Sequence, residues 1–227
     1  YADHRDLHSF PTRRSSDLVY ASTFYSGPKD YMKATSFRLV EEKMAVVIQK
    51  VIGQRHGDHF YPELSGVARS YNFYPIAPQQ SDDGIVSMAL GLGKMVVDGG
   101  ASVRFCPQYP LQTCPYSRTK DILNASQRRF FALNLGHRPS QAEGISDAAL
   151  ELLELSAAER HGTLGKIGST FLPDDERIVD GISRNGIRLV SFAPLLKNRL
   201  LPLPDIIDLL LGMGTWGMGT PVELEFA

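Results

Sequence analysis

Alternating hydrophobic and polar positions predict a series of strands along the chain. The clearest alternation is Pro-Val-Glu-Leu-Glu-Phe at 221–226, within a strand predicted over 219–227. A nearly continuous, β-branched apolar run at 44–52 predicts a strand buried on both faces. Further strands are predicted at 66–74, 84–90, 127–135 and 186–196.

Helical spacing of apolar residues is rarer. It predicts a short helix from residue 29, a helix over 146–159, and a helix over 204–211 that has proline in its first turn. The polar segment 56–65 is expected to be a loop, and the glycine-rich segment 212–219 a turn in which Trp216 anchors packing. Strands and helices without regular βαβ alternation predict an α+β fold.

Composition narrows the class of protein. The 227 residues carry 24 Lys+Arg and 25 Asp+Glu, a net charge of −1, which gives no electrostatic reason to expect a nucleic-acid partner. The longest apolar runs are far shorter than the roughly 20 residues of a membrane helix, so no membrane partner is expected either. With two cysteines and no secretory signal pattern, the sequence predicts a cytoplasmic protein.

Residues 1–18, YADHRDLHSFPTRRSSDL, have no periodicity and resemble the translation of a sequencing-library adapter. We therefore expect this segment to be non-native and disordered, and residues 19–227 to form the domain. Because the domain follows directly on an adapter-like segment, and because the alternating pattern at 221–226 runs almost to the last residue without a following turn, we expect a fragment truncated at both ends.

Glu223 and Glu225 are the strongest candidate for chemistry on physical grounds. Period-two geometry places both on one face of the last strand, about 6.5 Å apart along it. Two carboxylates on one face suit Mg²⁺ ions that also hold phosphate oxygens. The alternative, which the spacing alone favours, is an amphipathic strand with a solvated face.

Two other patterns are weaker. Gly91 and Gly93 could let the backbone approach a phosphate, but they lack the remaining residues of a phosphate-binding loop, so a structural turn is the favoured interpretation. His56 and His59 could pair on a metal ion, but no third ligand lies nearby in sequence, which favours a solvated loop.

Four segments in order resemble one family. They are Glu-Lys-Met-Ala-Val-Val-Ile-Gln at 42–49, Ser-Gly-Val-Ala-Arg-Ser at 65–70, Ala-Leu-Gly-Leu-Gly with Val-Asp-Gly-Gly at 89–100, and Gly-Thr-Pro-Val-Glu-Leu-Glu-Phe at 219–226. Their order and spacing are similar to the nucleotide-binding domain of phosphoenolpyruvate synthase and pyruvate phosphate dikinase. Each segment is modest alone, and the resemblance covers essentially residues 18–227.

The resemblance implies a partial ATP-grasp fold with ATP and Mg²⁺ as cofactors. In the intact enzymes this domain passes a phosphoryl group from ATP to a histidine of a swivelling domain, which delivers it to pyruvate and makes phosphoenolpyruvate. Gln49, Lys50, Val51 and Ile52 match the hinge strand whose backbone meets adenine.

The acidic pair of the last core strand in that family matches Glu223 and Glu225, of which Glu225 is the expected metal ligand. Gly91 and Gly93 match the glycine-rich segment behind the nucleotide cleft, with an expected role in support rather than contact.

The sequence also departs from that family. The phosphate-clamping Lys and Arg would lie upstream of residue 18, and a Gln-x-Arg-Pro motif beyond residue 227, so the fragment itself is expected to be inactive and no catalytic residue is assigned. Two alternatives stay open: a non-catalytic nucleotide-binding or interaction module, and a dikinase relative with a different acceptor.

Overall fold

A computed structural model describes residues 17, 19–35, 45–47, 49–112, 119–136 and 149–227. The chain divides into two compact units, Tyr1–Val51 and Ile52–Ala227. The first unit contains helix α1 (Ser26–Ala34), which begins three residues before the predicted start.

Strands of the second unit form three antiparallel sheets among the described residues. Their orders are β1-β2-β6-β7, β10-β8-β9 and β11-β3-β4-β5. The strands are β1 (Gln54–His56), β2 (His59–Tyr61), β3 (Ser65–Arg69), β4 (Ile85–Ala89), β5 (Val103–Phe105), β6 (Arg129–Asn134), β7 (Leu150–Glu154), β8 (Gly168–Leu172), β9 (Arg177–Asp180), β10 (Ile187–Val190) and β11 (Glu223–Phe226).

Helices of the second unit are short except for the last. They are α2 (Lys94–Val97), α3 (Thr119–Ala125), α4 (Leu155–Arg160), α5 (Ala193–Leu196) and α6 (Leu203–Met218). The predicted α+β class is confirmed. Within the part of the chain that the structure describes, no helix is long and apolar enough to cross a membrane.

A hydrophobic core joins the sheets and helices of this unit. Its members come from all of β2, β3, β4, β5 and β6, and from α4, α5 and α6. The largest fully buried apolar side chains are Tyr61, Phe105, Phe130, Phe192, Met88 and Leu90. Helix α6 contributes Leu203, Ile207 and Leu211, whose spacing of four residues follows one face of a helix.

The predictions from strict alternation are confirmed with shorter bounds. The strands predicted over 84–90, 127–135 and 219–227 correspond to β4, β6 and β11, each of which lies inside its predicted range. The strand predicted over 66–74 corresponds to β3, which begins one residue earlier and ends at Arg69. The strand predicted over 186–196 ends at Val190, because the chain turns at Phe192 (φ 52°) into α5.

The prediction of a buried strand at 44–52 is wrong for the residues that the structure describes there. Residues 45–47 and 49–53 carry no strand, and Val47 is 79% exposed. A strand needs at least one hydrogen-bonded neighbouring strand, and burial of both its faces needs a packed layer on each face of the sheet. None of the described sheets supplies a neighbouring strand to this segment.

The prediction of a loop over 56–65 is also wrong, because this segment contains the last residue of β1, the hairpin turn and all of β2. His56 and His59 face each other as the last cross-strand pair before the turn. Gly57 adopts φ +64°, a conformation that glycine takes without steric cost and that a two-residue hairpin turn needs.

The prediction of a helix over 146–159 is wrong for residues 150–154 and confirmed for residues 155–159. Residues 146–148 lie outside the described residues, and Leu150–Glu154 is strand β7, paired with β6 so that Leu153 lies opposite Phe130. Pairing with a buried neighbour outweighs the local helical spacing, since strand formation depends strongly on tertiary context. The helix begins only at Leu155.

The turn predicted at 212–219 is wrong, because α6 continues through Met218 and ends at Gly219 in the left-handed conformation. Val222 packs closely against Gly214 of this helix, where a Cβ would lie 3.0 Å from Val222 Cγ2. Trp216 does not anchor packing; it is 89% exposed.

Candidate functional site

On the outer face of the sheet, side chains of β11, β3 and β4 lie side by side in two rows. Antiparallel register aligns Glu223 with Arg69 on β3, and Glu225 with Val67 and then with Ser87 on β4. The alternate residues Leu224 and Phe226 pack against the core. The period-two pattern at the C-terminus therefore sorts the two carboxylates onto the solvent side, as predicted.

Gly66 makes the close approach of these strands possible. It pairs with Phe226, and a Cβ on Gly66 would lie 2.5 Å from Phe226 Cζ and 2.6 Å from the carbonyl oxygen of Ser87. Ser70 fixes the other end of the pairing: its Oγ accepts a hydrogen bond from Val222 N at 2.9 Å. β11 is thus held at both ends against β3.

A cavity of about 160 Å³ opens on this face. It is lined by Val67, Arg69, Ile85, Ser87, Val96, Val97, Glu223 and Glu225. Arg69 Nε donates a hydrogen bond to Glu223 Oε2 at 2.5 Å, and both side chains are about half exposed. Glu225 makes no hydrogen bond or ion pair with any residue that the structure describes. We call this group the carboxylate cavity.

The donor set of the carboxylate cavity fits a cation that is shared with a ligand. Within the described ranges, no three His, Cys, Asp or Glu side chains converge as a complete metal site. Mg²⁺ is usually held by one or two carboxylates, with phosphate oxygens and water completing its octahedron. Glu225, with Glu223 beside it, supplies such a partial set.

A larger cavity of about 820 Å³ lies on the other side of β11. Apolar residues of α6 such as Ile206, Leu210 and Met213 line it, together with Ile52 and Glu225. Its volume is in the range of small-molecule sites, which are mostly apolar with a few polar groups. We call it the apolar cavity.

The predicted hinge residues are only partly brought to this site. Ile52 borders the apolar cavity together with Glu225. Gln49, Lys50 and Val51 belong to the other compact unit, are exposed, and lie in no regular element.

Gly91 and Gly93, the glycines of the predicted supporting segment, differ in how much room a side chain would have. Gly91 adopts φ +86°, and a Cβ there would lie 2.6 Å from the carbonyl oxygen of Phe131. Its own carbonyl oxygen accepts a hydrogen bond from Ser65 Oγ at 2.6 Å. Gly93 precedes α2, and its Cβ position is open. Only Gly91 requires glycine on steric grounds.

Sequence reasoning assigned no role to Arg69 or Ser87. The alternation of β3 gives a signal for Arg69, because a charged residue two positions after Val67 must share its outward face. Its pairing with Glu223 depends on strand register between segments 154 residues apart, which no local pattern contains.

His56 and His59 lie in a histidine cluster rather than in a loop. The His56 ring stacks on the His161 ring with centroids 4.9 Å apart and planes 7° apart. His59 Nε2 lies 3.1 Å from Glu151 Oε2, and the hydroxyl of buried Tyr61 lies 2.8 Å from His161 Nδ1. These five residues, the histidine cluster, belong to β1, β2 and β7 and to the end of α4.

Burial disfavours the charged forms of two members of the histidine cluster. Burial lowers the pKa of His161, and the neighbouring His56, His59 and Arg160 lower it further. Burial also raises the pKa of Tyr61. The parallel stacking of His56 and His161 turns their rings face to face rather than toward a common ligand.

Comparison with known proteins identifies the class of domain first. The family model of the pyruvate phosphate dikinase AMP/ATP-binding domain matches residues 13–130. The chain belongs to this family and is the AMP/ATP-binding part of a pyruvate phosphate dikinase-like protein. No curated protein and no solved structure matches the chain.

The matched segment defines which parts of the site the family covers. It includes residues 49–52, strands β3 and β4, and Gly91. It begins inside the segment that resembles an adapter, and it ends before β11, so Glu223 and Glu225 lie outside it.

Proposed function

We propose that the chain is the ATP-binding part of a phosphotransferase. The intact protein would move a phosphoryl group from ATP to a histidine of a swivelling domain and on to pyruvate, giving phosphoenolpyruvate. The domain proposed for this role is a partial ATP-grasp domain over residues 19–227, and the proposed compartment is the cytoplasm. Family membership supports ATP binding; the transfer steps and the acceptors are part of the proposal.

The position of Glu225 carries the proposal. This residue borders both the apolar cavity and the carboxylate cavity. A nucleotide has the same two halves, a flat and largely apolar base and a charged phosphate chain. We therefore assign the base to the apolar cavity, near Ile52, and the phosphates to the side of Glu223 and Glu225.

The family resemblance assigns the backbone of residues 49–52 to adenine. Gln49, Lys50, Val51 and Ile52 carry no regular secondary structure, so their backbone N–H and C=O groups are not committed to a sheet. An adenine edge offers one donor and one acceptor that match such groups. Their assignment rests on the family resemblance of segment 42–49.

Phosphoryl transfer needs positioning and charge neutralisation more than covalent chemistry. Mg²⁺, when bound, supplies positive charge that offsets the phosphate oxygens. Glu225 would hold the ion, because its carboxylate has no partner among the described residues. Glu223 would act beside it while paired with Arg69. Val67, Val96 and Val97 form the apolar part of the cavity lining.

Calorimetric titration of the chain with ATP tests the proposal. We expect ATP binding that strengthens with Mg²⁺, and a loss of about tenfold or more of the Mg²⁺-dependent affinity in Glu225→Gln, because the neutral amide is a poorer ligand for a hard cation. The matched control is Glu154→Gln, an exposed strand carboxylate of another sheet, which should bind ATP as the wild type does.

Two results would contradict the proposal. Absence of ATP binding by the wild-type chain would remove the assigned function. Equal Mg²⁺ dependence in the wild type and in Glu225→Gln would remove Glu225 from the metal site.

A further inference from the structure

Arg69 is the one cation among the residues that line the carboxylate cavity. Its Nε donates to Glu223 Oε2, and its side chain is 52% exposed. The two terminal amino groups, Nη1 and Nη2, make no hydrogen bond with any residue in the described ranges. One edge of the guanidinium group is therefore fixed, and the other edge is open to the cavity.

Such an arrangement suits an anion. A guanidinium group binds phosphate oxygens through pairs of parallel N–H donors, and little conformational entropy is lost when its orientation is already set. The ion pair with Glu223 provides this orientation, because it ties the side chain of β3 to the neighbouring strand β11. Glu223 would then orient Arg69 and also lie beside the cation.

The charges of the cavity also indicate two adjacent subsites. Glu223 balances Arg69, whereas Glu225 carries an unbalanced negative charge on the same strand face. A cation at Glu225 and an anion at the open edge of Arg69 would neutralise each other's sites. A divalent ion with a phosphate chain has this pattern, since the ion and the phosphate oxygens remain in contact.

We propose that Arg69, oriented by Glu223, binds the terminal phosphates of a nucleoside triphosphate and thereby makes the domain discriminate ATP from AMP. This inference rests on the proposed function and deepens it, because the family description covers both AMP and ATP. Arg69 is a binding residue in this view, and Glu223 is its positioning residue.

The test compares the affinities for Mg²⁺–ATP and for AMP in the wild type and in Arg69→Met, Arg69→Lys and Arg177→Met. Met keeps much of the length and apolar area of the side chain but removes its charge and donors. We expect Arg69→Met to weaken ATP binding about 10- to 100-fold, the range for a lost charged hydrogen bond, with AMP affinity unchanged.

Arg69→Lys keeps the charge and loses the fork, so its ATP affinity should lie between those of the wild type and Arg69→Met. Arg177 is the matched control, an exposed arginine of β9 that pairs with Asp175. Arg177→Met should leave the ratio of the two affinities unchanged. Thermal unfolding of each variant separates a folding defect from a binding defect.

A purely structural Arg69–Glu223 ion pair would lower the unfolding temperature and reduce both affinities equally, and this result overturns the inference. Unchanged ATP affinity in Arg69→Met also overturns it, while the effect of Glu225→Gln on Mg²⁺ dependence would leave the proposed function standing. If the wild type binds no ATP, the inference and the proposed function fall together.

Discussion

Two groups of titratable side chains in the Ile52–Ala227 unit, the carboxylate cavity and the histidine cluster, differ in how far their polar atoms are satisfied. Both contain residues that the sequence offers as candidate metal ligands. In the histidine cluster, His59 pairs with Glu151 and His161 pairs with Tyr61, whereas the buried Nε2 of His56 has no hydrogen-bond partner among the described residues. In the carboxylate cavity, Glu225 and one edge of Arg69 lack partners in the described part of the chain. Residue type alone does not distinguish the two groups; what differs is that four of the five residues of the histidine cluster contact one another through polar side-chain atoms, while Glu225 has no such contact.

The hydrogen bonds of the histidine cluster even fix the direction of its protons. Thr163 Oγ1 donates to the carbonyl oxygen of Ala158, so in its 3.2 Å contact with Tyr61 it must accept. Tyr61 has one hydroxyl proton, which this contact uses, and it therefore accepts from His161 Nδ1. The order His161, Tyr61, Thr163, Ala158 leaves none of these donors idle, as expected of a structural network.

The largest expected effect on stability comes from adding a side-chain atom at Gly66, where β11 packs closely against β3. In Gly66→Ala, the new Cβ would lie 2.6 Å from the Ser87 carbonyl oxygen, which belongs to the backbone and cannot rotate away. We expect a loss of about 3 kcal/mol in the free energy of unfolding, as for severe overpacking. Chemical denaturation measures this loss, and ATP affinity should fall with it.

Gly165→Ala is the control for this change, because no atom lies within 4 Å of its Cβ position. Equal stability of the two alanine variants would show that β11 does not depend on the close approach at Gly66.

A smaller effect is expected from the histidine cluster. Tyr61→Phe removes the hydroxyl that links His161 to Thr163 while it keeps the buried ring. Buried groups left without partners cost roughly 1–3 kcal/mol, so the free energy of unfolding should fall by about that amount. Because the cluster serves structure, ATP affinity at a temperature where the variant is folded should not change.

This prediction contrasts directly with Arg69→Met, which should change ligand affinity more than stability. Measuring both quantities for both variants tests the comparison in a crossed design. Loss of ATP affinity in Tyr61→Phe without loss of stability would assign a ligand to the histidine cluster.

Local patterns explain which parts of this molecule the sequence could predict. Strands β3, β4 and β11 alternate strictly and have apolar inner faces, so period two identified them and the outward direction of Glu223 and Glu225. Local spacing predicts a helix where strand β7 lies, because the pairing of β7 with β6 is a tertiary contact. The prediction for helix α6 is too short because its glycines locally resemble a turn, whereas in the fold Val222 packs against Gly214.

The site shows the same division. The two carboxylates follow from alternation within one strand. Arg69 reaches Glu223 across 154 residues, and Tyr61 reaches His161 across 100. Such pairs depend on register and on packing between distant segments, and a single sequence holds no local signal for them. Chemistry carried within one element was predictable, and chemistry assembled from several elements was not.

The smallest expected effect is a dependence of stability on pH through His161. Its pKa in the folded protein lies below the ordinary value of about 6.5, chiefly because of burial and then because of His56, His59 and Arg160. The folded state therefore binds fewer protons than the unfolded state just below pH 6.5, so the free energy of unfolding rises with pH. The stabilisation is present above pH about 6.5 and is lost as the pH falls toward the folded pKa.

Urea denaturation of the wild type and of His161→Gln between pH 7.5 and 5.5 measures this dependence. Glutamine does not titrate, so the variant should lose less stability than the wild type over the same interval, although it begins less stable because Tyr61 loses its partner. The groups that face His161 are His56, His59, Arg160 and Tyr61, and all four stay in the variant. Parallel pH profiles for the two proteins would assign the acid sensitivity to other groups. The histidine cluster would then differ from the carboxylate cavity in its hydrogen bonding alone.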